Sequence, residues 1–326
     1  MGICLSAALA DTKSQTSNEM DGSKMGNSAM NSTTKGHSAG VLVERMGLEA
    51  AVQHMNGLDL GKRLRLDVDF SLNKQGHSRR DDSDPCPHPL FATVDHGSEF
   101  WASDTVTTFV ALLDNYVRET GRSEHVTTAE RREVDAFLAA CAATPHFELL
   151  LAFVKYHGRD PRCKDVDTMD DLKALLKELW FTPYRRWRPD DSSGFEHVFV
   201  GEESRGKIIG LHNWVQYYLE EKKGNIDYLG WTGRQDTCVD DTTFASIKFA
   251  WADDDANREI KPISTILCGS TPEFELAALS LVFLCGTQEG DNLMRLGEEK
   301  IKIVCYPKTA KGGKVCVGSA FIEIAK

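Results

Sequence analysis

The spacing of apolar residues changes near residue 190, and this change limits the folds open to the chain. Before that point, apolar residues recur every three or four positions, as on one face of a helix. After it, short runs rich in Val, Ile and Phe predict strands, with only two helices between them. Helices followed by strands, without regular βαβ alternation, predict an α+β fold. Its mostly helical part spans 41–190, and its part rich in antiparallel strands spans 191–326.

Three segments of the first half predict helices. Residues 103–119 place apolar side chains at helical spacing, with Ser103 or Asp104 available as the N-cap. Residues 127–142 begin with a Thr-Thr pair and continue with apolar residues at the same spacing. Thr168 opens a third helix that carries four leucines on one side.

Five runs of the second half predict strands. They are HVFV (197–200), FASIKFAW (244–251), ISTILCG (263–269), IKIVCY (301–306) and KVCVGSAFIEI (314–324). Helices are predicted between them over 211–224 and 271–285. Gly224 closes the first of these helices, and Pro272 occupies the first turn of the second.

The N-terminal segment 1–40 predicts a disordered tail. Ser, Thr, Gly and Asn make up 17 of the 30 residues over 11–40. The segment therefore has too few apolar residues to offset the entropy that is lost when a chain becomes ordered. Gly2 and Ser6 fit the N-myristoylation pattern, and Cys4 offers a site for a second acyl chain. Chance accounts equally well for so short a pattern. A signal peptide is the less favoured alternative, because no basic residue precedes the short apolar stretch.

Charge and cysteine content exclude several classes of protein. The chain has 38 Lys and Arg against 49 Asp and Glu, a net charge of −11, so a broad basic face for nucleic acid is not expected. Local contact with a few nucleotides remains open. Nine cysteines without a CxxC pair argue against a disulfide framework and a zinc knuckle, and favour a reducing, cytoplasmic compartment. No apolar run reaches the length of a membrane span.

Two of the ten histidines stand out by their setting. His197 follows a Ser-Ser-Gly-Phe-Glu run, and His212 follows two glycines, Gly206 and Gly210. A turn between them could bring both imidazoles to one cleft. From spacing alone, solvated or core histidines are the commoner interpretation.

The sequence around these histidines resembles the signature of the eukaryotic poly(U)-specific endoribonuclease family (EndoU, of the frog XendoU and placental protein 11 type). The resemblance runs through 193–231 (SGFEHVFVGEESRGKIIGLHNWVQYYLEEKKGNIDYLGW), 261–277 (KPISTILCGSTPEFELA) and 314–322 (KVCVGSAFI). Upstream segments are also similar, at 66–76, 89–95, 109–121 and 177–186. Together these segments extend over about 42–326, so the chain is identified as a member of the EndoU family.

The resemblance implies roles for seven residues. His197 and His212 match the family's catalytic histidines, Lys261 its catalytic lysine, and Glu196 and Glu202 its supporting acidic positions. At the base-binding pair of the closing strand, the family has Thr-x-Tyr where this chain has Ser319 and Phe321. Serine keeps the hydroxyl and phenylalanine keeps the ring, but the phenol is lost. This difference leaves the strictness of uridine preference open.

The implied reaction is cleavage of single-stranded RNA at uridines by attack of the 2′-hydroxyl, giving 2′,3′-cyclic phosphate and 5′-hydroxyl ends. Histidine can serve as base or acid near neutral pH, and an ammonium stabilises charge on phosphoryl oxygens. We assign His212 as base, His197 as acid and Lys261 as stabiliser, although spacing does not exclude exchanged histidine roles. Without the resemblance, Lys261 is a solvated strand-end lysine, and Glu196 and Glu202 are surface charges or orient a histidine.

The resemblance also implies dependence on Mn²⁺, for which the sequence shows no sharp motif. Carboxylates cluster at Asp240-Asp241 and Asp253-Asp254-Asp255, where acidic loops are the simpler interpretation. The run PYRRWRP (183–189) is either an RNA contact or a solvated turn. Trp214, Tyr217 and Tyr218 predict a core stripe rather than a stacking platform.

We therefore expect a monomeric α+β endoribonuclease, with membrane attachment through its N-terminus as an open possibility. One alternative is an RNA-binding module of the same fold with weak or no catalysis. Its signature is RNA binding that His212→Ala leaves unchanged, with no cleavage by the wild type. A lipid-anchored interaction protein without RNA affinity is the third interpretation.

Overall fold

Helices dominate the chain from Leu48 to Phe181 and strands dominate it from Glu202 to Ile324, as the change of period predicts. The computed structural model describes residues 42–58, 70–80, 83–122, 126–232, 237–239, 242–252 and 258–325. The predicted tail with Gly2 and Cys4 lies outside these residues, and so do the acidic runs at 240–241 and 253–255. The α+β prediction is confirmed.

The helices of the first half begin where their capping residues predict. In chain order the helices are α1 (Leu48–Asn56), α2 (Glu99–Ala102), α3 (Asp104–Leu112), α4 (Thr128–Ala142), α5 (Pro145–His157), α6 (Met169–Phe181), α7 (Trp214–Lys223) and α8 (Pro272–Cys285). Thr127 and Thr168 each form a reciprocal capping box with the acidic residue three positions later, so the first turns of α4 and α6 are satisfied.

Helix α3 is shorter than the predicted 103–119. Ser103 caps it, as expected, by accepting the Val106 N–H, but the helix ends at Leu112. Asn115 lies just beyond its end and donates to the Glu133 carboxylate on α4 at 2.7 Å. Residues from 113 onward therefore leave the helix for an irregular segment, although their apolar spacing continues.

The strands form antiparallel sheets. They are β1 (Phe70–Leu72), β2 (Phe91–Val94), β3 (Glu202–Glu203), β4 (Ile208–Ile209), β5 (Ile226–Trp231), β6 (Thr237–Val239), β7 (Thr242–Ala252), β8 (Arg258–Cys268), β9 (Gly290–Leu296), β10 (Glu299–Thr309) and β11 (Val315–Ile324). One edge of β7 pairs with β8, and its other edge pairs with β6 and then β5. A second sheet has the order β11-β10-β9. The predicted strands at 244–251, 263–269, 301–306 and 314–324 are confirmed.

The predicted strand at 197–200 is wrong. Residues Glu196–Val200 form a turn of π-helix, closed by the Gly201 N–H donating to the Glu196 carbonyl at 2.8 Å. All five of its residues are buried, and a short run that is buried on all sides has no periodicity to separate a strand from a helix. The helix predicted from 211 begins only at Trp214, because Asn213 caps it.

Helix α8 lies at the centre of the fold, where it contacts helices of the first half on one side and strands β10 and β11 of the second sheet on the other. Every residue from Pro272 to Cys285 is buried, including two glutamates. A helix that is apolar on all sides is typical of a buried core element. In the described residues no single helix has the length and apolarity of a membrane span; α4 and α5 meet both criteria only as a pair, which is bent by 86°.

Candidate active site

A tight hairpin brings the segments of the two histidines together. Strands β3 and β4 pair through Glu202 with Ile209 and Glu203 with Ile208. Arg205 and Gly206 both have positive φ, 54° and 72°, as in the type I′ turn that suits a two-residue hairpin. The chain therefore reverses between His197 and His212, as the glycine-rich spacing predicts.

Backbone hydrogen bonds fix the two histidine segments to each other. The Leu211 N–H donates to the His197 carbonyl at 3.0 Å, and the His212 N–H donates to the Val198 carbonyl at 2.8 Å. Gly210 allows this approach: its φ is 67°, and a Cβ there would lie 1.7 Å from the His197 carbonyl oxygen. No side chain other than hydrogen fits at this position.

A buried carboxylate orients the His197 imidazole. Nδ1 of His197 lies 2.6 Å from Oε2 of Glu202, whose side chain is fully buried. The same oxygen lies 3.1 Å from Nε of Arg186. This contact assigns the proton to Nδ1 and leaves Nε2 as the nitrogen for proton exchange.

Burial lowers the pKa of His197 to about 4. The positive charges of Arg186 and Lys261 act in the same direction, whereas Glu202 raises the pKa. Glu202 is thus the group that favours the imidazolium form.

Glu196 occupies a different place from Glu202. Its carboxylate accepts the Ser193 N–H at 3.2 Å, and its own N–H donates to the Ser193 hydroxyl at 3.2 Å. This reciprocal pair holds the start of the π-helical turn that carries His197. Both acidic residues are buried, at 1% and 0% exposure, so neither is a surface charge.

The His212 imidazole is held between a strand and an aromatic ring. Its Nδ1 lies 3.2 Å from the Thr265 carbonyl on β8, which assigns the Nδ1 proton to that bond. Its ring stacks on Phe321 of β11, with centroids 4.6 Å apart and planes inclined by 12°. Burial, followed by the charges of Lys261 and His197, places the pKa of His212 well below its usual value. These influences favour the neutral imidazole of His212, the form in which Nε2 can accept a proton.

Lys261 lies on β8 at the same site. It is 8% exposed, and burial lowers its pKa to about 8, against the opposing influence of Glu202. Its charge lowers the pKa of both histidines, so the ammonium and the two imidazoles act on one another. The structure thus brings together the three residues that the sequence singles out.

Ser319 and Phe321 lie two residues apart on β11, where they share one face of the strand. Both are partly buried, and Phe321 contacts His212 directly. The pair of residues predicted to bind the uracil ring thus adjoins His212, the predicted proton acceptor, through Phe321.

Sequence reasoning missed residues that hold the histidines. Arg186 belongs to the run interpreted as an RNA contact or turn, but it is bonded to Glu202. Asn213, next to His212, donates to the Glu275 carboxylate of α8 at 3.2 Å. These partners are far apart in sequence, so no local pattern indicates them. The Trp214–Tyr217–Tyr218 stripe is core, as predicted, at 0%, 0% and 8% exposure.

The described residues offer no group of three or more His, Cys, Asp and Glu side chains that could hold a metal ion. In the site, Nδ1 of each histidine is already bonded to a protein acceptor. Those bonds leave Nε2 of each imidazole available, but within the described residues the two histidines are not joined by enough further ligands to make a metal site.

Comparison with known proteins agrees with the geometry. A family model described as endoribonuclease XendoU matches residues 47–322. Poly(U)-specific endoribonuclease-B of Xenopus laevis is 36% identical over 255 residues, which cover 74% of this chain and 83% of that protein. The human uridylate-specific endoribonuclease is 34% identical over 264 residues, 78% of this chain and 60% of that protein.

A solved structure extends the likeness to the fold. The structure of XendoU, a splicing-independent snoRNA-processing endoribonuclease, superposes with a TM-score of 0.67 at 32% identity, covering 86% of this chain and 96% of that one. With a family model matching most of its length, the chain belongs to the XendoU endoribonuclease family.

Proposed function

We propose that the chain is an endoribonuclease that cleaves single-stranded RNA at uridines, leaving 2′,3′-cyclic phosphate and 5′-hydroxyl ends. Membership of the XendoU family and the substrates named for its relatives support the activity and the uridine preference. One observation carries the mechanism: each imidazole is anchored through Nδ1, so Nε2 is the nitrogen that exchanges protons.

The surroundings of the two histidines favour different roles. His212 donates its Nδ1 proton to a carbonyl, and burial favours its neutral form, so Nε2 can take the proton of the 2′-hydroxyl. His197 has a carboxylate partner, which stabilises an imidazolium and suits the acid that protonates the departing 5′-oxygen. With a pKa of about 4 the imidazole of His197 is neutral at pH 7 in the free protein, so the acid role requires the anionic phosphate of bound RNA, which raises this pKa.

Lys261 supplies the positive charge that the reaction needs at the phosphate. Charge develops on the phosphoryl oxygens as the 2′-oxygen attacks, and a partly dehydrated ammonium stabilises it more strongly than one in water. Lys261 is buried and charged below a pKa of about 8, so it is suited to this role at neutral pH.

The experiment is cleavage of a short RNA with a single uridine by the wild type, His212→Ala and His197→Ala, with end-group analysis. The exposed His54 provides the matched control, His54→Ala. We expect cyclic-phosphate ends from the wild type and the control, and none from the site variants. Cleavage of RNA with 2′-deoxyuridine at the cut site contradicts the mechanism. Binding without cleavage by the wild type favours a non-catalytic RNA-binding module.

We also propose Mn²⁺ dependence, supported only by the family resemblance and by the net charge of −11, which a divalent cation would offset against RNA. No step of the chemistry above uses the ion. A cleavage rate in EDTA equal to the rate in Mn²⁺ contradicts this dependence. Acylation at Gly2 and Cys4 is a separate proposal from the sequence pattern. Incorporation of a myristate analogue that Gly2→Ala abolishes is its test.

A further inference from the structure

A tryptophan and an arginine form an exposed pair that the proposed chemistry does not use. Trp187 is 37% exposed, and the guanidinium carbon of Arg205 lies 3.1 Å from the centroid of its ring. The two residues come from separate segments, the 183–189 run and the turn between β3 and β4. Neither segment alone indicates the pairing.

Both members of the pair are held in place by the backbone. The Asp191 carboxylate accepts the N–H groups of Trp187 and Arg188, at 2.9 and 2.7 Å, and so fixes the loop under the indole ring. Arg205 occupies the first central position of the type I′ turn with φ 54°, where Asn, Asp or Gly is preferred. An arginine in this strained position points to a use for its side chain.

The pair lies in a basic patch on an acidic chain. Arg185 and Arg188 lie on either side of the Arg186–Trp187 step in the chain and Lys207 follows the Arg205–Gly206 turn; all three are exposed, as is Arg205 itself. Arg185 donates through Nε to the Trp187 carbonyl at 3.2 Å. None of these four cations forms an ion pair within the part of the chain that the structure describes. Unpaired arginines beside an aromatic ring are typical of surfaces that bind single-stranded nucleic acid.

The patch adjoins the candidate active site. Trp187 follows Arg186, which bonds to Glu202, and Arg205 lies three residues after Glu202. Three residues of extended chain span about 10 Å, so the patch is within reach of a nucleotide next to the cleaved one.

We propose that Arg205, backed by the Trp187 ring, stacks on the base of a nucleotide flanking the cleaved uridine. A guanidinium plane can stack on an aromatic ring and on a base, so the ring of Trp187, the guanidinium and the base would form one continuous stack. Such stacking accepts any base, so the subsite adds affinity for longer RNA without adding sequence preference. The inference rests on the proposed function for its substrate.

The first test measures binding, independently of cleavage. An eight-nucleotide RNA with one 2′-O-methyluridine is titrated by fluorescence anisotropy against the wild type, Arg205→Ala, Arg205→Lys and Trp187→Ala. Arg132→Ala and Tyr156→Ala are controls, because both side chains are exposed on helices outside the patch. We expect each patch variant to raise Kd about fivefold to a hundredfold, and the controls to leave it unchanged.

Arg205→Lys separates stacking from charge, because lysine keeps the charge and loses the plane. A Kd for Arg205→Lys equal to that of the wild type overturns the stacking proposal. The second test replaces one flanking nucleotide at a time by an abasic residue. At one position, the abasic change should weaken wild-type binding and leave Arg205→Ala binding unaffected. Independent effects of the two changes at every position also overturn the proposal.

Cleavage assays separate this proposal from the proposed function. With a uridine 3′-(4-nitrophenyl phosphate), which has a cleavable phosphodiester but no flanking base, we expect wild-type kcat/KM in the patch variants, whereas the eight-nucleotide RNA shows the loss. No cleavage by the wild type, together with the expected binding losses, contradicts the nuclease but keeps the stacking subsite. Cleavage by the wild type, together with unchanged binding in all patch variants, keeps the nuclease and contradicts the stacking subsite.

Discussion

Replacing Glu202 with glutamine tests the arrangement on which the acid role of His197 depends. Oε2 of Glu202 lies 2.6 Å from His197 Nδ1 and 3.1 Å from Arg186 Nε, and the Glu202 side chain is fully buried. Glutamine keeps the shape and one acceptor oxygen but removes the negative charge. The positive charges of Arg186 and Lys261 then act on His197 unopposed, so its pKa falls below the value of about 4 that it has with Glu202.

The size of the effect follows from the bond that is lost. A hydrogen bond to a charged group contributes about 1.5–3 kcal/mol, and about 1.36 kcal/mol corresponds to a tenfold change in rate. We therefore expect kcat to fall about tenfold to 150-fold. Breaking a buried ion pair costs about 3–5 kcal/mol in the free energy of unfolding. We expect the lower end of that range, because glutamine still accepts a bond from Arg186.

The assay is kcat and KM on a uridine-containing RNA as a function of pH, with melting temperature and circular dichroism for each variant. Glu203→Gln is the matched control, because its side chain is more exposed and lies on the opposite face of the same short strand. A folded Glu202→Gln enzyme with wild-type kcat refutes the reasoning. Equal losses in both variants do so as well.

The other predictions concern the lysine, the glycine, the closing strand and the pH dependence of stability. Lys261 has a pKa of about 8 and is needed in its charged form, so cleavage should decline as pH rises through about 8, and Lys261→Arg should move the decline upward in a pH–rate profile. A variant with an unshifted profile contradicts the role. Gly224→Ala should lower the free energy of unfolding by ~1–2 kcal/mol, because Gly224 has positive φ but no atom within 4 Å of an added Cβ. Gly210→Ala should lower it by well over that amount, because its Cβ would also clash with the His197 carbonyl. Chemical denaturation compares the two variants. If Phe321 lies beside the base, as the family resemblance implies, Phe321→Tyr supplies the phenol that the family has there and should raise the preference for uridine over cytidine about two- to tenfold, the value of one hydrogen bond. An unchanged ratio of kcat/KM values removes Phe321 from base selection. Because the folded state lowers the pKa of His197 from 6.5 to about 4, the unfolded chain binds more protons between those values, so this group makes the protein less stable as pH falls from 6.5 to 4. His197→Gln should flatten the fall in melting temperature over that window, and an unchanged slope contradicts the shift.

The elements that the sequence predicts well are those whose signals are local. Thr127 and Thr168 carry capping boxes in a few neighbouring residues, so the starts of α4 and α6 are predictable. Strands β7, β8, β10 and β11 are 10 or 11 residues long and rich in β-branched or aromatic residues. The run 197–200 fails because burial on all sides removes the periodicity that separates a strand from a helical turn.

The site divides in the same way. His197, His212 and Lys261 are indicated by their resemblance to a family motif, and the hairpin between the histidines is indicated by its glycines. The bond from Arg186 to Glu202 and the stack of Phe321 on His212 join residues far apart in the chain. Such contacts form only when the whole domain packs, so no local sequence pattern predicts them.

The short hairpin between the histidines affects the order in which base selection and cleavage are lost when the protein is heated. The two histidines are 15 residues apart, whereas His212 and Phe321 are separated by 109. Closing the longer loop costs about 2 kcal/mol more chain entropy, and Phe321 lies on β11, an edge strand of its sheet. Gentle warming should therefore free β11 before it separates the histidines. Provided that Ser319 and Phe321 bind the base, as the family resemblance implies, heating should reduce the selectivity among bases before it abolishes cleavage.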